Sequence, residues 1–92
     1  MRRVEISAHA QADIEYLRDW LAPRSPGASK LATRTIVKAA RSLVSFPERG
    51  RLTLEDIREL NVPFGSGGYV LQYFVEGDRV VIARVFHSLE RR

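Results

Sequence analysis

The chain contains no cysteine. That excludes a disulfide framework and any thiolate metal site, and it suits a reducing compartment. Histidine is scarce: only His9 and His87 occur, and this pair lacks the ligand spacing of a zinc or iron centre. No metal and no cofactor is expected. Long apolar runs are missing too. Met1-Arg2-Arg3 is basic, but Glu5 separates Val4 from Ile6, so no signal-peptide core follows. Nothing approaches the ~18 consecutive apolar residues of a membrane span. The expectation is a cytoplasmic protein without a membrane partner. Gly65-Ser66-Gly67-Gly68 is the one glycine cluster. It is followed by strand-like residues rather than Lys-Ser/Thr and a helix, so it reads as a turn and not a phosphate loop.

What is present fits a single domain over 1–92. Ninety-two residues, 45% apolar and 28% charged, give a globular balance. A chain of this size buries roughly 60–65% of its unfolded surface, so its own core is modest. Fifteen Lys/Arg oppose eleven Asp/Glu for a net charge of +4, a mild pull toward anionic partners.

Residues 3–6 alternate polar and apolar, as a short strand does. Ser7 then stands at an N-cap position. Ala10, Ile14, Leu17 and Leu21 recur on one helical face, with Tyr16 and Trp20 on its flank. Pro23 stops this helix, and Ser25-Pro26 starts the next, with Ser as cap and Pro at the first position. In the second helix, from Pro26 to about Ser45, Ala32, Ile36, Ala39 and Leu43 form the apolar face. Lys30, Arg34, Lys38 and Arg41 lie nearly opposite, within an arc of about 80°. The short link predicts an antiparallel helical hairpin, with Phe46 tucked back onto the core. A loop over 47–56 follows, then strands over 57–62, 69–75 and 79–86, the last two joined by a tight Gly77-Asp78 turn. The order is β-α-α-β-β-β: an α+β fold, its helical hairpin packed on one face of a small, mainly antiparallel sheet.

Pairing Glu76 with Arg79 in a regular ladder puts Tyr69, Leu71, Tyr73 and Val75 on one face with Val80, Ile82, Arg84 and Phe86. The other face then carries Val70, Gln72 and Phe74 beside Val81, Ala83, Val85 and His87. Both faces are largely apolar, whereas a sheet with one wet face alternates apolar and polar. Two helices cover one face only. The other is covered by the 47–56 loop, by a second copy, or by a partner protein.

The order of elements and several local steps resemble the RelE/ParE toxins. They are Ser7-Ala8 through Asp13-Ile14, Phe46-Pro47-Glu48-Arg49-Gly50-Arg51, Arg58-Glu59-Leu60 with Val62-Pro63, Gly68-Tyr69-Val70-Leu71-Gln72-Tyr73, and Val80 through His87. The resemblance covers almost the whole chain. It implies the toxin half of a type II toxin–antitoxin pair of the plasmid-stabilization kind. Such a toxin is held in a hetero-oligomer by a ParD-like antitoxin, expected to be of ribbon-helix-helix type, whose C-terminal segment wraps it. The expected antitoxin surface is Val70, Gln72, Phe74, Val81, Ala83 and Val85, with Trp20.

The superfamily divides by target. RelE-like members cut mRNA on the ribosome with basic, acidic, His or Tyr side chains on the concave sheet face. ParE-like members inhibit DNA gyrase. His87 and Arg84 match positions used by cleaving members, and would be the catalytic candidates in that reading. Val70 and Ser88 stand where one cleaving subgroup has Arg and Tyr. Cleavage without a metal needs a base for the 2′-hydroxyl and positive charge at the phosphate, so these departures favour the ParE-like branch. The resemblance then implies gyrase as the target, with Arg84, His87, Arg91 and Arg92 as contacts and no direct binding of nucleic acid. The alternatives are a ribosome-dependent endoribonuclease and a decayed member that only binds its antitoxin.

Overall fold

The computed structural model describes residues 2–88. The chain runs β1 (Arg3–Ile6), α1 (Ala8–Leu21), α2 (Pro26–Ser42), β2 (Arg51–Leu52), β3 (Arg58–Phe64), β4 (Gly67–Glu76) and β5 (Arg79–His87). Its five-stranded sheet has the order β1-β5-β4-β3-β2. β1 lies parallel to β5, and every other pair is antiparallel. No helix among the described residues is long and apolar enough to cross a membrane.

The expected elements are found with one addition. β2 pairs Arg51 with Glu59 and Leu52 with Arg58, inside the stretch expected to be loop; two residues are too few for an alternation to show. Both helix starts are set by serine. The Ser7 hydroxyl accepts from the Ala10 N–H at 3.1 Å and the Ser25 hydroxyl from the Ala28 N–H at 3.3 Å. Each satisfies one of the orphan donors of a helix N-terminus. Gly65 and Gly77 open the two hairpin turns with φ of +61°, the left-handed region glycine enters without penalty.

The helices cover one face of the sheet. α2 contributes Ala32, Ile36, Ala39 and Ala40, followed by Leu43. The sheet contributes Leu60, Val62, Tyr69, Leu71, Tyr73, Val80, Ile82 and Val85. α1 buries only Ala10 fully and packs Ile14, Leu17 and Leu21 partly. Tyr73, fully buried, anchors the segment after α2. Its hydroxyl donates to the Pro47 carbonyl at 2.7 Å and accepts from the Gly50 N–H at 2.8 Å. A Cβ at residue 50 would come within 2.7 Å of that ring. This contact gives the Phe-Pro-x-x-Gly-Arg step its physical reason. Phe46, expected in the core, is 66% exposed instead, because Pro47 and Gly50 hold the segment by backbone groups.

The main departure lies in β5. The pairing starts as expected, with Glu76 opposite Arg79 and Tyr73 opposite Ile82, but then Gln72 faces Arg84. Ala83 is left over as a β-bulge, two residues on one strand against one on the other. From there each β5 side chain changes face relative to a regular ladder. Val85 and His87 point to the helices, beside Leu71 and Tyr69. Arg84 and Phe86 point to the opposite face, beside Gln72 and Val70.

Candidate functional site

The open face was expected to hold Val70, Gln72, Phe74, Val81, Ala83, Val85 and His87 together. The structure separates them. Val70, Gln72, Phe74 and Val81 share that face, where Phe74 and Val81 are partly exposed and Val70 is buried. Val85 is in the core, 1% exposed, so it contributes nothing to a surface. Gln72 donates to Glu59 at 2.9 Å, and Arg51 pairs with the same carboxylate at 3.4 Å. A polar row thus crosses the middle of this face.

Arg84 does not stand free on it. Asp13 of α1 accepts from Arg84 Nε at 2.8 Å and Nη2 at 3.1 Å, and from the Val85 backbone N–H at 2.9 Å. β1 pairs with β5 only as far as Ile82. Beyond it, the first turns of α1 take over that edge: Ser7 Oγ donates to the Ala83 carbonyl at 3.0 Å, and Asp13 caps Val85. The bulge is therefore held by the N-cap serine of α1 and by one side chain of the helix itself. Sequence reasoning missed Asp13 in this role, because nothing local marks a helical Asp as the partner of a strand 71 residues away.

His87 lies on the helix side. Its ring stands edge-on to Tyr69 at 5.7 Å, and Tyr69 in turn packs against Phe64 at 5.7 Å. Burial raises the Tyr69 hydroxyl above its ordinary pKa, so it stays a neutral phenol at neutral pH. With Tyr16, Leu17, Trp20 and Leu21 of α1, these rings line a groove of about 530 Å³. Trp20 and Tyr16 are 52% and 62% exposed on its rim, and the Arg24 guanidinium sits 4.0 Å from the Trp20 ring centre. Trp20, placed with the open-face residues by expectation, belongs to this groove on the other side of the sheet. The flanking position of Tyr16 and Trp20 on the helical wheel was the signal for it. Arg91 and Arg92 lie outside the described residues.

Comparison with known proteins agrees with this architecture. The sequence model of the family described as the ParE toxin of the type II toxin–antitoxin system parDE matches residues 4–92. Toxin RelE3 of Caulobacter vibrioides is 47% identical over 92 residues, covering all of both chains. Toxin RelE1 of the same organism is 36% identical over 89 residues, covering 97% of this chain and 96% of its own. Among solved structures, a chain from a chromosomal ParDE system of P. aeruginosa superposes with a TM-score of 0.81. It covers 95% of this chain and 96% of its own at 21% identity, a likeness of fold.

Proposed function

The chain belongs to the ParE toxin family of type II toxin–antitoxin systems, and from that premise we propose that it is a toxin without chemistry of its own, which inhibits DNA gyrase in the cytoplasm and is neutralised by a ParD-like antitoxin. One observation carries the non-catalytic part. Strand alternation puts His87 and Arg84 on opposite faces of the sheet, and the bulge at Ala83 exchanges those faces without bringing the two together, whereas a general base and the cation that stabilises a phosphate must converge on one substrate. Asp13 also holds the Arg84 guanidinium by two bonds. For the antitoxin we assign a wrapping segment that touches two places: Phe74 and Val81 on the open face, and the Trp20–Tyr16 rim of the groove. These are apolar side chains that the chain's own fold leaves partly or largely exposed.

The second reading, a RelE-like endoribonuclease, draws on the names of the Caulobacter relatives. Pulse labelling after induction separates the two. We expect DNA synthesis to fall first with translation intact, and purified protein to block supercoiling by gyrase. Early loss of protein synthesis with cut mRNA would replace the gyrase reading by the ribonuclease one.

A further inference from the structure

The charge of this protein is unevenly distributed. α2 carries Lys30, Arg34, Lys38 and Arg41 and no acidic residue. The remaining eleven basic residues, all arginine, equal the eleven Asp and Glu in number, so the excess of +4 matches these four side chains. All four are exposed, on the side of α2 away from Ala32, Ile36 and Ala39. Elsewhere, Glu5, Asp13, Asp19, Glu59, Glu76 and Asp78 each pair with an arginine. None of the α2 cations has an ion pair or a side-chain hydrogen bond among the described residues.

Helix stability does not account for this pattern. Lys30, Arg34 and Lys38 are like charges at i, i+4 spacing, which destabilises a helix. The first turn has no acidic residue, although the helix dipole favours one there. A membrane surface fits poorly, since the apolar face of α2 is already in the core and has nothing to insert. A protein partner fits poorly too. Interface cores are apolar and depleted in lysine, and the large apolar side chain α2 leaves exposed, Leu31, lies outside the basic arc. A phosphate backbone needs no apolar centre. The stripe extends for about 16 Å along the helix, and duplex DNA presents one phosphate charge per about 1.7 Å of its axis.

We infer that the basic face of α2 is a docking surface for the phosphate backbone of a nucleic-acid duplex, contrary to the expectation that the chain avoids direct contact with nucleic acid. The inference does not depend on whether gyrase is the target. With four phosphates neutralised, log K against log salt should have a slope of about −3.6, or about 150-fold weaker binding at 200 mM than at 50 mM salt.

The test uses the full 92-residue chain from cell-free synthesis, with fluorescent 20-base-pair DNA and RNA duplexes as separate probes. Binding of at least one duplex is expected at 50 mM salt with that slope, and the tighter of the two identifies the source of the phosphates. The combined K30Q, R34Q, K38Q and R41Q variant should bind at least 100-fold more weakly, while a control losing Arg2, Arg18, Arg24 and Arg51 to Gln should keep the slope. Lys30 and Lys38 are the only lysines in the chain, so acetylation footprinting of the unmutated protein reads this face directly. The duplex should protect both. Absence of duplex binding at 50 mM salt, equal losses in the two variants, or stronger lysine protection by poly-glutamate than by either duplex would each overturn the inference.

Discussion

The two halves of the β4–β5 hairpin follow different rules. From Glu76–Arg79 to Tyr73–Ile82 the ladder is regular and alternation predicts every side chain. From Gln72–Arg84 to Tyr69–His87 the same strands continue, yet each β5 side chain faces the opposite way from the regular expectation. The first half is flanked by β1, which supplies a partner strand to β5. The second half has α1 at its edge, which supplies single side chains. A strand edge satisfied by side chains tolerates an irregular step that a second strand would correct, because a ladder demands a partner for every alternate group.

The largest effect should come from forcing the second half back into a regular ladder. One residue inserted between Gln72 and Tyr73 gives Ala83 a partner, but turns Leu71 and Val85 out and Gln72 and Arg84 in. Losing burial of two such side chains costs roughly 3–6 kcal/mol, as much as a small domain's whole stability. We expect no cooperative thermal transition. Deleting Ala83 also regularises the ladder, but leaves Val85 and His87 on the helix side. That variant should fold, about 1–2 kcal/mol less stable through the lost Ser7 bond and a disturbed clamp. A reversed ranking of the two melting curves would refute the bulge.

Next in size is the clamp itself. Asp13→Ala leaves the Val85 N–H without its acceptor and should cost about 2–3 kcal/mol. Most of this belongs to the backbone bond, since Arg84 is exposed enough for water to replace its partner. Asp13→Asn keeps an acceptor and should recover about half, measured by urea unfolding. A loss equal to that of Ala would mean that charge, not the cap, matters.

A smaller effect is expected at the end of β5. His87→Gln gives up an edge-on contact with Tyr69, worth about 0.5–1.5 kcal/mol, and should leave growth arrest intact at strong induction. A folded, fully expressed variant without toxicity would instead make His87 a catalytic group, because removing a general acid or base slows a reaction by ~10²–10⁴-fold. The smallest effect belongs to the regular half. The Arg3 hydrogen bond, followed by Arg79, holds the Glu5 carboxyl below its ordinary pKa. The stabilisation is therefore present above the unfolded carboxylate pKa and is lost as pH falls through the depressed one. Amide shifts of Val4–Ile6 should move below about pH 4, while those at Leu71 stay put; a uniform change in both would point to global unfolding.

Much of the fold was legible because its signals are local. Ser7 and Ser25 cap helices through hydroxyls three residues from their donors. The 3.6-residue spacing of Ala32, Ile36 and Ala39 marks the buried side of α2, and the basic stripe follows as its complement. Gly77-Asp78 sets the start of the last hairpin. The resemblance to the toxin family drew on these same steps, in order along the chain. Less of the candidate site was legible. Trp20 and Tyr16 flagged a flank without showing what lay across from it, and the β3–β4 turn and His87 complete that groove only in space.

By itself, then, the sequence determined the elements, their order and the charge on α2, since each depends on residues within a few positions of one another. Tertiary structure alone decided which way the end of β5 faces. Ser7 and Asp13, more than 70 positions away in the chain, satisfy backbone groups that a regular ladder would have paired. A bulge of one residue is enough to exchange the two faces, because the side-chain period of a strand is two.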